Sequence, residues 1–385
     1  MTASPLAGIR VLNLGGLGPV PFATMMLSDL GADTVRIDRV GTATSAAAQR
    51  AARFKVLNRG TRSVALDLAH PDGAAVARDL AASADVVLEG FRPGTVERLG
   101  IGPAEVRGRN PKVVYARVTG WGRQGPLAAL PGHDINYLAR NGVLGLLGRA
   151  GGPPAIPLNI VADLAGGGVL AVCGVLSALL ARERTGEGDT VDLAMVEGAG
   201  LMAAMIHGMA AAGEWRAEPG TNLLDSGAPF YDVYRTADGR WLSVGALEPQ
   251  FFDQLLSVLG LEWAGDRDDV EQWPELRRLI AERVATRSLA EWTELLDGRD
   301  ACAAPVLSLP EWSADPQARA LNSFVEVDGV RQPRPPLRFD RAAQVPLRPS
   351  GRPGAATLEV LAEWLALDGT ALLASGVVAD AGRVA

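Results

Sequence analysis

Residues 9–38 read IRVLNLGGLGPVPFATMMLSDLGADTVRID. A short β-branched and Leu-rich run, Ile9–Leu14, opens the stretch, and Thr34–Asp38, which reads as a second strand, closes it. Between them, Pro21–Leu30 carries apolar residues at helical spacing, and Gly31 stands where a helix should stop. This is one strand–helix–strand unit, and the pattern repeats. Ser63–Leu68 reads as a third strand, and His70-Pro71-Asp72 opens a helix to about Ser83, with proline placed where its missing N–H costs nothing. Asp85–Glu89 and Val113–Val118 follow as a fourth and a fifth strand. Such alternation predicts an α/β fold with a parallel sheet covered by helices on both faces. Ligands of such sheets bind at loops beyond the carboxyl ends of the strands, here Gly15–Pro21, Arg39–Arg62, Gly90–Gly94 and Thr119–Tyr137.

The chain has 385 residues, more than one compact domain usually holds. After Thr190–Met195 and a helix to about Gly213, its character changes. A strand at Trp241–Gly245 and amphipathic helices at Gln250–Leu259, Pro274–Thr286 and Leu289–Leu296 predict a smaller lobe. The expected division is a large domain over 1–224, a small one over 225–320, and a C-terminal segment over 321–385 that returns to the large domain and is helical near Ala356–Leu365. The apolar stretch Ala165–Ala181 contains four glycines and lacks a basic flank at its start, so it reads as a buried helix rather than a membrane span. Met1–Leu6 lacks the regions of a signal peptide, and the final Gly-Arg-Val-Ala is no targeting address, so the expected location is cytoplasmic, without membrane insertion.

A net charge of −7 argues against nucleic acid as the main partner. Two cysteines, Cys173 and Cys302, make no disulfide framework, and without CxxC or Cys/His clusters no structural metal is expected. Against this acidic background, 39–66 holds no acidic residue but contains Arg39, Arg50, Arg53, Lys55, Arg59 and Arg62. Such a cluster beside strand ends suits a polyphosphate, or else it is a solvated loop. The Gly15–Pro21 turn resembles a dinucleotide fingerprint, with Asp38 near the required distance, but Pro21 occupies the third glycine position and breaks it.

Three histidines limit the imidazole candidates. His70 reads as a surface helix cap and His207, in MAAMIHGMAAA, as a core or interface residue. His133 enters a helix through the glycine-flanked PGHDINY, where backbone N–H groups can bind a developing oxyanion. Asp163, in PLNIVADLAGGG, starts an apolar helix; it is either an N-cap or a partly buried carboxyl that holds a proton near neutrality. Methionines 25, 26, 195, 202, 205 and 209 read as core packing or as an adaptable apolar surface.

PGHDINY followed by PLN-(x)3-D resembles the α-methylacyl-CoA racemases of the family III CoA-transferase superfamily. The likeness extends through Leu27–Arg39, Glu89–Gly94 with Glu97–Gly100, Thr119–Gly122, Val191–Val196 and Gly245–Gln250. It departs from the pattern at Phe22, where a histidine is expected, and in an Asn58–Leu68 loop about two residues longer. The resemblance implies a Rossmann-like large domain, a smaller α+β domain and an interlocked homodimer. Each active site would lie between the large domain of one chain and the small domain of the other. It also implies that His133 and Asp163 are catalytic, that Glu248 from the partner chain orients the histidine, and that Asn159 lies nearby. The acyl-CoA substrate would meet Arg39, Leu66, Asp67, Leu68, Ala69, Gly90, Arg92, Arg98, and Gly132, Asp134, Ile135, Asn136 and Tyr137. Coenzyme A would enter as part of that substrate, with no separate cofactor.

The implied reaction is epimerisation of a 2-methylacyl-CoA at its α-carbon. One acid/base group removes a proton from one face while another delivers one to the opposite face. The alternative is a CoA-transferase in which Asp163 forms an acyl anhydride; that reaction needs no histidine across the site. A non-catalytic CoA-binding protein would have no need of His133, Asp163 and Glu248 together.

Overall fold

The computed structural model describes residues 3–382. Six strands, β1 (Arg10–Gly15), β2 (Asp33–Asp38), β3 (Arg62–Leu66), β4 (Val86–Glu89), β5 (Val114–Thr119) and β6 (Thr190–Ala194), pair in parallel in the order β3-β2-β1-β4-β5-β6. A short final strand, Val378–Ala379, adds antiparallel to the free edge of β3. Every residue of β4 and β5 is buried, the state in which a strand reads as a continuous apolar run. Leu12 and Leu14 pack in one core with Val76 and Leu80 of the helix Pro71–Ser83 and Val360 and Trp364 of the helix Thr357–Leu365. Asn13 points to the other face, where its side-chain amide donates to Thr24 Oγ1 (3.1 Å) on the helix Pro19–Asp29. Both faces are therefore covered, as the sequence pattern predicted.

The apolar stretch is helical, but it starts earlier and differently than expected. Ile160–Val169 winds as a π-helix and runs on as an α-helix over Leu170–Thr185. By length and composition this 26-residue helix could cross a membrane. It is only partly buried, with Leu180 exposed. Its glycine edge packs against backbone: a Cβ on Gly166 would stand 2.6 Å from the Ala199 nitrogen of the helix Met195–Met202, and one on Gly168 2.5 Å from the Phe22 ring. Phe22 thus fills the space beside Gly168.

The chain divides into two compact units. The first comprises Met1–Asn141, Pro157–Met202 and Gln317–Ala385; the second comprises Gly142–Ile156 and Ala203–Pro316. The second unit thus takes in Gly142–Ile156 and the helix Ala204–Ala211, which the sequence reading assigned to the large domain. Its three-stranded antiparallel sheet consists of β7 (Tyr231–Arg235), β8 (Trp241–Gly245) and β9 (Ala303–Pro305). Helices Pro249–Leu259, Trp273–Val284 and Leu289–Leu296 bury Phe252, Leu255, Ile280 and Trp292 with Phe230 in its core. Buried Asp232 is neutralised by Arg149 (2.6 Å) and Arg277. The helix Ala204–Ala211 has no buried residue and His207 is exposed, so a core role for His207 is not met within the chain. In the first unit, Phe324–Val327 (β10) and Val330–Pro333 (β11) form a hairpin in the C-terminal segment, where the sequence reading placed no strand.

Candidate active site

The strand order reverses between β1 and β4, so the chain leaves these two adjacent strands in opposite directions and opens a crevice at their carboxyl ends. The Gly15–Gly18 turn and the Gly90–Gly94 loop border it. Gly90 N–H donates to Gly15 O (3.0 Å), and Glu89 Oε2 accepts the Phe91 N–H (2.7 Å), which fixes the second loop against the first.

Asp163 lies beside the first of these loops. A Cβ built on Gly18 would stand 2.9 Å from Asp163 Oδ2, and Gly18 has a φ of +64, so glycine is required there twice over. Asp163 sits in the first turn of the π-helix, whereas the N-cap position belongs to Asn159. The N-cap reading of Asp163 is therefore corrected. Asn159 Nδ2 donates to Asp163 Oδ2 at 3.4 Å. Burial raises the Asp163 carboxyl above its ordinary value; Asn159 opposes the shift, Asp134 adds to it, and the nearby His133 opposes it.

His133 is exposed and caps the helix Asp134–Arg140. Its backbone N–H donates to Asn136 Oδ1 (3.0 Å), which holds the entry turn closed. Buried Tyr137 donates to Gly132 O (2.6 Å) and meets Trp121 edge to face, with ring centroids 4.8 Å apart. A Cβ on Gly132 would reach within 2.7 Å of the Tyr137 ring, so the glycine before His133 makes room for that phenol. Burial, then Asp163 and Asp134, push the Tyr137 hydroxyl up to about 12, so it remains a donor at neutral pH. The Asp134 side chain turns inward, and its Oδ2 accepts N–H bonds from Ala162 and Asp163, both 2.8 Å.

The structure thus brings His133, Asp134, Asn159 and Asp163 together. Glu248 lies in the second unit, where it is exposed and caps the helix Pro249–Leu259.

The residues expected to meet CoA lie around the carboxyl edge of the sheet. Arg39 is exposed directly after β2, Asp67, Leu68 and Ala69 follow β3, and Gly90, Arg92 and Arg98 follow β4. The Leu66 side chain is in the core, so only its backbone is available to a ligand. Ile135 is half-buried in the His133 helix.

The cationic cluster separates into two groups. Buried Arg59 pairs with Asp29 (2.6 Å), and Arg62 binds Asp33, Glu359 and Glu363. These two are structural. Arg39, Arg50, Arg53 and Lys55 are exposed. Asp38, the acid of the broken fingerprint, is occupied by Arg36 (2.9 Å) and Ser63 (2.6 Å).

A doubly wound α/β domain with an imidazole and a carboxyl near its switch point defines an enzyme-like class with a site at the strand ends. Comparison with known proteins narrows this. The model of CoA-transferase family III matches residues 6–357, and the chain belongs to that family. It is 42% identical over 366 residues to α-methylacyl-CoA racemase of Homo sapiens, covering 93% of each chain. It is 31% identical over 372 residues to acetyl-CoA:oxalate CoA-transferase of Acetobacter aceti, covering 92% of this chain and 93% of the other. A solved CAIB/BAIF family protein from Brucella suis superposes with a TM-score of 0.78 at 26% identity, covering 94% of this chain and all of that one.

Proposed function

We propose that this chain epimerises the α-carbon of 2-methylacyl-CoA thioesters by a two-base proton transfer. The α-hydrogen of a thioester is weakly acidic, so its removal needs a base on one face and stabilisation of an enolate-like oxygen. In one direction neutral His133 takes the proton from the α-carbon and protonated Asp163 delivers one to the other face; in the reverse direction the roles exchange. The observation that carries this reading is the environment of Asp163. A carboxyl whose burial favours its protonated form, held by Asn159 and with an imidazole close enough to act on it, is suited to donating a proton more readily than an exposed carboxylate would. Backbone N–H groups at the start of the His133 helix supply donors for the thioester oxygen, worth about 3 kcal/mol in comparable sites. Identity to the racemases over nearly the whole chain supports the same reading. Coenzyme A enters as part of the substrate, and no other cofactor is needed by the chemistry. Exposed Arg39, Arg92 and Arg98 are suited to its phosphates.

We also propose that the chain works as a homodimer, in which Glu248 of one copy orients His133 of the other, and that it is cytoplasmic. Incubating one epimer of a 2-methylacyl-CoA in D2O tests the activity. Racemisation with α-deuterium incorporation is expected, and no exchange across a panel of acyl chain lengths would refute it. The 31% identity to a CoA-transferase keeps one second reading, in which Asp163 is a nucleophile. Trapping an acyl–Asp163 adduct with hydroxylamine during turnover would establish that reading instead.

A further inference from the structure

We propose that Asp134 is a positioning residue for Asp163: its buried carboxylate anchors the backbone on which Asp163 stands and sets one negative charge behind the Asp163 carboxyl. The inference rests on the proton-transfer reading of the site and deepens it.

The geometry comes first. The first N–H groups of any helix have no partner within it. Here the N–H groups of Ala162 and Asp163 both donate to Asp134 Oδ2, each at 2.8 Å, across 28 and 29 residues of chain. Bonds of this kind to a carboxylate are short and about twice as strong as neutral ones. The amide of Asp163 itself is therefore fixed to the residue that follows His133. One carboxylate ties the two reacting side chains to a common frame.

The charge follows from the same placement. Asp134 is 4% exposed, and its Oδ1 is buried without a hydrogen-bond partner. The ionisable groups around Asp163 are few. The His133 helix presents His133, Asp134 and Tyr137, and it carries Arg140 at its far end. The turn before Pro19–Asp29 and that helix present none until Asp29 at the far end. Met195–Met202 carries only Glu197, which is exposed, and the α-helical continuation carries Cys173 and then Arg182, Glu183 and Arg184 at its distal end. No lysine or arginine pairs with Asp134 among the described residues. Two N–H groups donate to Asp134, and a second negative charge beside its carboxylate is disfavoured, so Asp134 favours the protonated form of Asp163. The direction found for Asp163, raised by Asp134 after burial, agrees.

The test compares Asp134→Asn, which keeps an acceptor and drops the charge, with Asp134→Ala, which drops both. Each full-length protein is labelled with 13C-carboxyl aspartate and titrated by NMR without substrate, with Asp163→Asn assigning the signal. In Asp134→Asn the Asp163 carboxyl is expected to titrate at lower pH than in the wild type. The alkaline limb of kcat, in the direction where Asp163 donates, should move the same way while KM holds. Asp134→Ala should also lower kcat about a hundredfold, the loss that a displacement of roughly 1 Å causes. Superimposable titrations for Asp134→Asn and wild type would overturn the inference, even if activity fell. If Asp134→Ala does not fold, Asp134→Asn alone decides. Because the titration needs no turnover, it reads the same way in a chain that exchanges no α-hydrogen, so the two proposals fail separately.

Discussion

Glu89 ends β4 at the crevice and is 4% exposed. Burial pushes its carboxyl from 4.5 up to about 7, while the Phe91 N–H and Arg117 pull it back, Glu97 raises it and Arg123 lowers it. The folded chain therefore holds this proton more tightly than the unfolded chain. The stability it contributes is fully present below about pH 4.5 and is lost as pH rises through about 7. At about 1.36 kcal/mol per unit, ionising Glu89 in the folded state costs about 3 kcal/mol. Glu89→Gln removes the charge and keeps an acceptor for Phe91. At about pH 8.5 the variant should melt higher than the wild type by roughly 6 °C, taking about 2 °C per kcal/mol for a unit of this size. At about pH 4.5, where both side chains are neutral, the two should melt together. Calorimetric melts of both proteins across this range decide the matter. A variant that melts lower at high pH, or a difference that ignores pH, would mean that Arg117 outweighs burial and that the reasoning is wrong.

Arg59→Ala leaves the partly buried Asp29 and the contacts of buried Arg59 unpaired and should cost about 2–4 kcal/mol in urea unfolding, whereas substitution of exposed Arg50 should cost almost nothing. Arg39→Ala should raise KM for acyl-CoA roughly tenfold and reduce its dependence on salt in steady-state assays, as loss of one phosphate contact does. Gly166→Ala forces a methyl against the Ala199 backbone and should destabilise by about 1–3 kcal/mol, read from thermal melts. His133→Ala and Glu248→Ala, each inactive alone, should recover about a quarter of wild-type activity when refolded together, because half of the dimers are mixed and each holds one intact site. No recovery would refute a site shared between copies.

The sheet was legible because strands such as β4 and β5 are buried on both faces and are rich in apolar residues. The helix Leu289–Leu296 was found to the residue, and its Ser288/Glu291 capping box explains why. The hairpin of β10 and β11 was missed although it carried a signal. Asp328-Gly329, with φ of +52 and +72, is the turn dipeptide that joins two antiparallel strands, but the C-terminal segment was read only for its helix near Ala356–Leu365. The π-helical start at Ile160 had no local signature, because its first donors are held by Asp134 and its glycines by other helices. For the same reason a count of cations could not separate Arg59 and Arg62 from Arg39: their partners Asp29, Glu359 and Glu363 are distant in sequence. Of the candidate site, the local motifs around His133 and Asp163 were readable, and the turned-in Asp134 side chain was not.

The strand Val378–Ala379 closes the sheet at β3, yet roughly 310 residues separate the two along the chain. At about 5–20 residues per second, a ribosome that has released β3 takes roughly 15–60 s to deliver the segment that covers it. Throughout that interval a row of unpaired amides and carbonyls faces solvent, open to pairing with other nascent chains. Yield during synthesis should therefore depend on chaperone supply more than the stability of the finished protein would suggest, and a truncation before Val378 would make that temporary exposure permanent.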